Sequence, residues 1–281
     1  MQRNERMPVW KRGLVIGWLV AAAGAAGPAG AGLALVGNEN GGTISLIDTD
    51  RDEVVGEIRT GGKPRGTAIH AARKLAYVSD QPNNALLVID LEKRAVARRI
   101  DLGESPEGVY LSPDGRFVYV SAEEDDKLEV IDVAARSLVA QLKVGTRPRG
   151  IAFTPDGAKA YVACERADTV YVIDARTHRI LRTIKAGLRS NGLAMQPDGK
   201  RVYVSNGGDA NVMVIDTAAD AVLATIPVGK RPWNMALTRD GAKLYVANGR
   251  SNSVTVIDTV KLSVVREIAV GNSPWGVHIL D

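Results

Sequence analysis

The sequence predicts an all-β fold: a six-bladed β-propeller of four-stranded antiparallel blades, closed by a composite blade. Three observations predict it. A 42-residue repeat runs through the chain, each copy contains four short strand patterns, and the two chain ends supply complementary parts of one copy.

The repeat is read from its landmarks. An Asp closes a Val-Ile-Asp-like run at Asp48, Asp90, Asp132, Asp174, Asp216 and Asp258. A Gly recurs in the same step at Gly61, Gly103, Gly145, Gly187, Gly229 and Gly271, and a Tyr at Tyr77, Tyr119, Tyr161, Tyr203 and Tyr245, with Leu35 in the first copy. These recurring residues read as structural. An Asp side chain accepts backbone N–H groups in the following turn, and Gly lets the backbone swing between blades.

Within the copy spanning Arg149 to Gly187, residues 150–154 form an apolar run ended by the turn signal Pro155-Asp156-Gly157. Residues 160–163 are a second strand. Residues 169–173 alternate and are rich in β-branched side chains, which marks a third, and residues 179–185 are a fourth. No helical periodicity is sustained after the first thirty residues.

Closure follows from register. The propeller starts at residues 33–37, a second strand, and ends at residues 274–281, a first strand. Pairing them gives a composite blade of three N-terminal strands and one C-terminal strand, so no inner strand is left unpaired at the seam.

Residues 1–31 read as a secretory signal peptide, and residues 32–281 as a single propeller domain. Arg3, Arg6, Lys11 and Arg12 precede a short apolar run, and Ala29-Gly30-Ala31 is an A-x-A cleavage site. The expected location is therefore periplasmic or secreted; retention of the leader as an anchor is the alternative. The formal net charge is +4, of which the leader carries +3, leaving +1 for the propeller. That balance gives no electrostatic footprint for nucleic acid. One cysteine, Cys164, rules out an intramolecular disulfide and reads as a small buried thiol, with an intermolecular bond as the alternative. No C-x-x-C-H haem attachment occurs.

Tyr203-Val204-Ser205-Asn206, Tyr245-Val246-Ala247-Asn248, Val256-Ile257-Asp258 and Val228-Gly229-Lys230-Arg231-Pro232 belong to one pattern with the Pro113, Pro155 and Pro197 Pro-Asp-Gly turns. Over residues 33–281 this pattern resembles the YVTN family of bacterial and archaeal β-propellers. No copy reads Y-V-T-N outright, and many relatives have seven blades where this chain has six repeats. Arg231-Pro232-Trp233 and Pro274-Trp275-Gly276 are similar to the final blades of a branch associated with pyrroloquinoline quinone (PQQ)-dependent alcohol catabolism. The resemblance implies an exported protein with no cofactor of its own. PQQ is then a candidate ligand, and a periplasmic dehydrogenase or small anion a candidate partner.

Function is expected where the repeat is broken. The position after the recurring proline starts each first strand and faces the central channel. Its six occupants are Arg65, Glu107, Arg149, Asn191, Trp233 and Trp275. Two residues before ring members stand Lys63, Arg147, Arg189 and Arg231. Guanidiniums pair with carboxylate, indoles stack, and together they suit a planar carboxylated ligand. The alternative packs the indoles on Pro232 and Pro274 and leaves the Arg heads solvated. The acidic run Glu123-Glu124-Asp125-Asp126 lies on the same face and lacks the alternation of a calcium loop, so it reads as solvated or contacting a basic partner.

His70, His178 and His278 are scattered toward the opposite face, and no H-E-x-x-H or G-x-S-x-G occurs. No catalytic set or metal site is read. The leading expectation is a non-enzymatic binding or scaffold propeller linked to PQQ-dependent oxidation. The alternatives are a lactonase-like hydrolase or lyase using Glu107, and a cell-surface adhesion propeller.

Overall fold

The computed structural model describes residues 33–38, 43–59, 67–80, 84–90 and 95–280. The predicted signal peptide, and the side chains of Lys63, Arg65 and His278, lie outside the described residues. Among the described residues no helix is long and apolar enough to cross a membrane.

The architecture is all-β, with six four-stranded antiparallel sheets among the described residues. Sheet I holds β1 (Leu33–Asn38), β2 (Thr43–Asp48), β3 (Glu53–Arg59) and, from the far end of the chain, β24 (Pro274–Leu280). Sheet II holds β4 (Thr67–His70), β5 (Leu75–Asp80), β6 (Ala85–Asp90) and β7 (Ala95–Asp101). Sheet III holds β8 (Pro106–Leu111), β9 (Phe117–Ala122), β10 (Lys127–Asp132) and β11 (Ser137–Lys143). Sheet IV holds β12 (Pro148–Phe153), β13 (Lys159–Cys164), β14 (Thr169–Asp174) and β15 (Arg179–Lys185). Sheet V holds β16 (Ser190–Met195), β17 (Arg201–Asn206), β18 (Asn211–Asp216) and β19 (Ala221–Pro227). Sheet VI holds β20 (Pro232–Leu237), β21 (Lys243–Asn248), β22 (Ser253–Asp258) and β23 (Ser263–Ala269).

Sheet I is the composite the register predicts. β1 pairs antiparallel with β24, bringing Leu33 opposite Leu280 and Val36 opposite Val277. The central strands are buried on both faces, which is why they read as near-continuous Val, Ile and Tyr runs. Apolar layers then form between neighbouring sheets. Tyr161 and Val172 of sheet IV pack with Val204 and Ile215 of sheet V. Tyr245 and Val254 of sheet VI pack with Val36 and Ile47 of sheet I. A fully buried side chain of this size contributes about 1.5–3 kcal/mol, so each seam is a substantial part of the stability.

The turns are built as their residues demand. Asp174 Oδ1 accepts the N–H groups of Arg176 and Thr177, both at 2.9 Å, and Asp48, Asp132, Asp216 and Asp258 repeat the arrangement. Gly157 in the Pro-Asp-Gly turn has φ +65°, which L side chains rarely adopt. The other recurring glycines correct the expectation of backbone freedom: at Gly145, a Cβ would lie 2.7 Å from Ala167 Cβ, so close packing is what requires glycine there. The left-handed residues of that segment are instead Ser105, Arg147, Arg189, Arg231 and Ser273.

Each outer strand ends its sheet with an exposed edge. In sheet IV, Val172 pairs with Arg182 and Ile173 with Ile180, leaving half-exposed Leu181 unpaired in a bulge. The same irregularity falls at Val55, Val139, Leu223 and Val265. Such bulges disfavour edge-to-edge pairing with another molecule.

Candidate functional site

The first strands of neighbouring sheets lie side by side, so the predicted ring residues are neighbours in space. Glycine allows this close approach. A Cβ at Gly108 would lie 2.8 Å from Arg149 O, and one at Gly150 would lie 2.5 Å from Asn191 O. Serines then fix the carbonyls: Ser79 Oγ donates to Glu107 O at 2.9 Å, and Ser205 Oγ donates to Trp233 O.

As expected, the starts of the first strands of sheets IV, V and VI share a face with the loops between second and third strands. Arg147 N donates to Asp126 Oδ1 at 2.9 Å, Leu188 N to Asp209 Oδ2 at 2.8 Å, and Lys230 N to Ser251 Oγ at 2.8 Å.

On this face the charged side chains engage one another. Arg149 Nη1 pairs with Glu107 and, at 2.9 Å, with Glu123 Oε2, while its Nε donates to Glu165 Oε2 at 2.9 Å. Arg231 Nη2 donates to Glu165 Oε1 at 2.5 Å, and Arg147 pairs with Glu123. Three buried carboxylates are thus held by three guanidiniums. Burial by itself raises the Glu165 pKa, but Arg149 and then Arg231 outweigh it and hold the carboxyl below the usual range. Glu165 therefore stays ionised at neutral pH.

The acidic loop is not wholly solvated, which corrects the sequence reading. Glu123 is 1% exposed and faces Arg147 and Arg149; Asp126 caps the Arg147 N–H, and only Glu124 is exposed. The basic partner of this loop belongs to the same chain.

Of the other candidates, Asn191 is buried beside the cluster. Trp233 and Trp275 are half-buried on sheets VI and I, and the Trp233 indole lies close over Gly249, where a Cβ would be 2.7 Å from two ring carbons. Arg189 is exposed. Glu165 is the residue that sequence reasoning missed. Its signal was available, because Glu123 and Glu165 share a repeat position that becomes Gly207 and Gly249 in the next two copies.

Of the histidines, His70 and His178 are described, and both lie toward the opposite face, as read. His178 Nδ1 lies 2.7 Å from the Tyr119 hydroxyl and joins sheet IV to sheet III; burial lowers its pKa. Cys164 is fully buried, and burial pushes its thiol up to about 12. Among the described residues no three His, Cys, Asp or Glu side chains gather as a metal site requires.

This repeated geometry agrees with known propellers. Residues 118–281 match the family described as YNCE-like beta-propeller. The chain belongs to the YNCE-like β-propeller family. A second description, lactonase, 7-bladed beta-propeller, matches residues 43–185 of this YNCE-like chain. Among solved structures, Kuenenia stuttgartiensis hydrazine synthase is similar at 21% identity and a TM-score of 0.69, covering 86% of this chain and 84% of that one. A functionally unknown protein from Desulfotomaculum acetoxidans is similar at 17% identity and a TM-score of 0.59, covering 88% and 98%. At these identities the likeness concerns the fold alone. No curated protein matches the sequence.

Proposed function

We propose that this YNCE-like propeller is an exported, non-enzymatic six-bladed ring that binds a ligand or partner through the face carrying Glu107, Arg149, Asn191, Trp233 and Trp275. The six sheets and the packed seam between sheets VI and I support the blade count. The basic and apolar leader, with its A-x-A site, supports export.

The observation that carries the binding reading is the engagement of Arg149 by Glu107, Glu123 and Glu165. A carboxylate held ionised between guanidiniums is poorly suited to take and return a proton near neutral pH. It is well suited to brace a rigid rim. Beside that rim stand two half-buried indoles, the side-chain type that dominates binding hot spots. A planar anionic ligand stacked on Trp233 and Trp275 fits this arc, and PQQ has that chemistry. A periplasmic dehydrogenase docked on the same face is the protein partner this reading favours.

The match of residues 43–185 to the lactonase description favours a second reading, a lactonase-type enzyme whose site includes Glu107, Arg149 and Glu165. Incubation of the purified protein with simple lactones, followed by proton release, separates the two. Binding without turnover predicts no release above background. Hydrolysis that disappears in Glu107→Gln, with an unchanged melting transition, would establish the enzyme.

A further inference from the structure

The charge network leaves a surplus on one side of the binding face. Arg147, Arg189 and Arg231 share a repeat position, as do Glu123 and Glu165. Arg147 pairs with Glu123. By the repeat, Arg189 should pair with Glu165, but Glu165 is occupied by Arg149 and Arg231. The cause is Gly207, which stands where Arg231 would find its own carboxylate. Arg189 is left exposed, and the neighbouring Arg166 and Arg250 are exposed as well. None of these three takes part in an ion pair among the described residues.

All three open onto one basin of about 700 Å³, spanning the loops of sheets IV, V and VI. The Gly207-Gly208 turn is part of its lining. A Cβ at Gly208 would lie 2.7 Å from Leu188 Cβ and 3.0 Å from Leu188 O, so glycine is what lets the loop pass so close. Leu188, 55% exposed, lines the wall. Asp168, the second acid at the rim, already accepts the Arg189 N–H at 2.7 Å. The basin therefore combines unpaired guanidiniums, an apolar wall and a volume within the range of small-molecule sites, about 300–1,000 Å³.

We propose that this basin is a binding site for a small organic polyanion carrying at least two carboxylate or phosphate groups. Arg166, Arg189 and Arg250 hold the charged groups, and Leu188 covers the carbon skeleton. Guanidinium forks bind such oxyanions bidentately. The inference rests on the reading of this face as the binding face, but the lining of this basin includes neither indole.

Calorimetric titration of the purified protein with citrate at low ionic strength tests it. The expected result is saturable one-to-one binding that weakens with added salt. It should weaken about tenfold or more in the double variant Arg189→Gln/Arg250→Gln. The melting temperature of that variant should be unchanged. Inorganic phosphate, the second probe, should bind more weakly than citrate. Absence of saturable heat at millimolar citrate, or equal affinity for phosphate, would overturn the proposal. Citrate binding retained by the double variant and accompanied by altered tryptophan emission would place the anion beside the indoles. That result overturns the basin while leaving the binding face intact.

Discussion

Tyr245 donates its hydroxyl hydrogen to the Asp52 carboxylate, 193 residues away, and so ties sheet VI to the β2–β3 turn of sheet I. Lys243 Nζ reaches the same carboxylate at 3.1 Å and Thr49 O at 2.9 Å. The pattern repeats between sheets IV and V, where Tyr161 and Lys159 meet Asp220. In sheet V the Asp position of the next blade is Leu262, and Tyr203 bonds Gln196 instead.

Asp52→Ala removes the charged partner of a buried hydroxyl and of an ammonium at the closing seam, leaving both with Thr49 O. The expected cost is about 2 kcal/mol, within the range for hydrogen bonds to a charged group. Thermal unfolding should show a fall of roughly 4–8 °C. A change within error would mean that this latch does not hold the seam.

Arg149→Ala takes this guanidinium from Glu107 and leaves Glu123 with Arg147 and Glu165 with Arg231 alone. Removing one partner of a buried ionic set costs about 3–5 kcal/mol, so the melting temperature should drop by on the order of 10 °C. Glu124→Gln, at an exposed member of the same acidic run, should leave it unchanged.

Acid should unfold the protein in two stages. The His178 pKa is lowered by burial, so the unfolded chain takes up that proton first, and stability begins a shallow decline below about pH 6.5. Glu165 is held below its ordinary value by Arg149 and Arg231, and Asp174 by the N–H groups of Thr177 and Arg176. Stability from depressed carboxylates is complete above their unfolded pKa values and is lost as pH falls through the folded ones. The steeper stage therefore lies below about pH 4.3. Denaturant unfolding across pH 3–7 checks both stages, and His178→Gln should remove the first.

The fold was legible because the repeat is uninterrupted. Asp and Tyr at fixed spacing located the sheets, and strand positions at the two ends located the composite sheet that β1 and β24 form. The charged cluster was legible by position and not by partner. Glu107, Arg149 and Trp233 were found where the repeat varies, but pairing depends on which neighbouring blade a side chain reaches. Arg231 passes over Gly207 to reach Glu165 two sheets back, and no local pattern announces that step. The acidic run misled for the same reason, since Glu123 is buried by residues more than twenty positions downstream.

Cys164 should behave as an inert core residue. Burial pushes its thiol up to about 12, so almost no thiolate exists at pH 8. A thiol reagent should label it only as fast as the protein unfolds, with full labelling in denaturant. Immediate labelling of the native protein would contradict the packing of sheets III and IV around it.

Trp233 and Trp275 are the only tryptophans of residues 32–281, so tryptophan emission from a protein of residues 32–281 reports on the proposed binding arc. The decisive titration adds PQQ to the protein, corrected for ligand absorption, and repeats it with Trp275→Phe. Binding on this face predicts saturable quenching that weakens in the variant while the fold stays intact. Emission that does not change with PQQ, in a protein that melts normally, would contradict a planar anionic ligand on this arc.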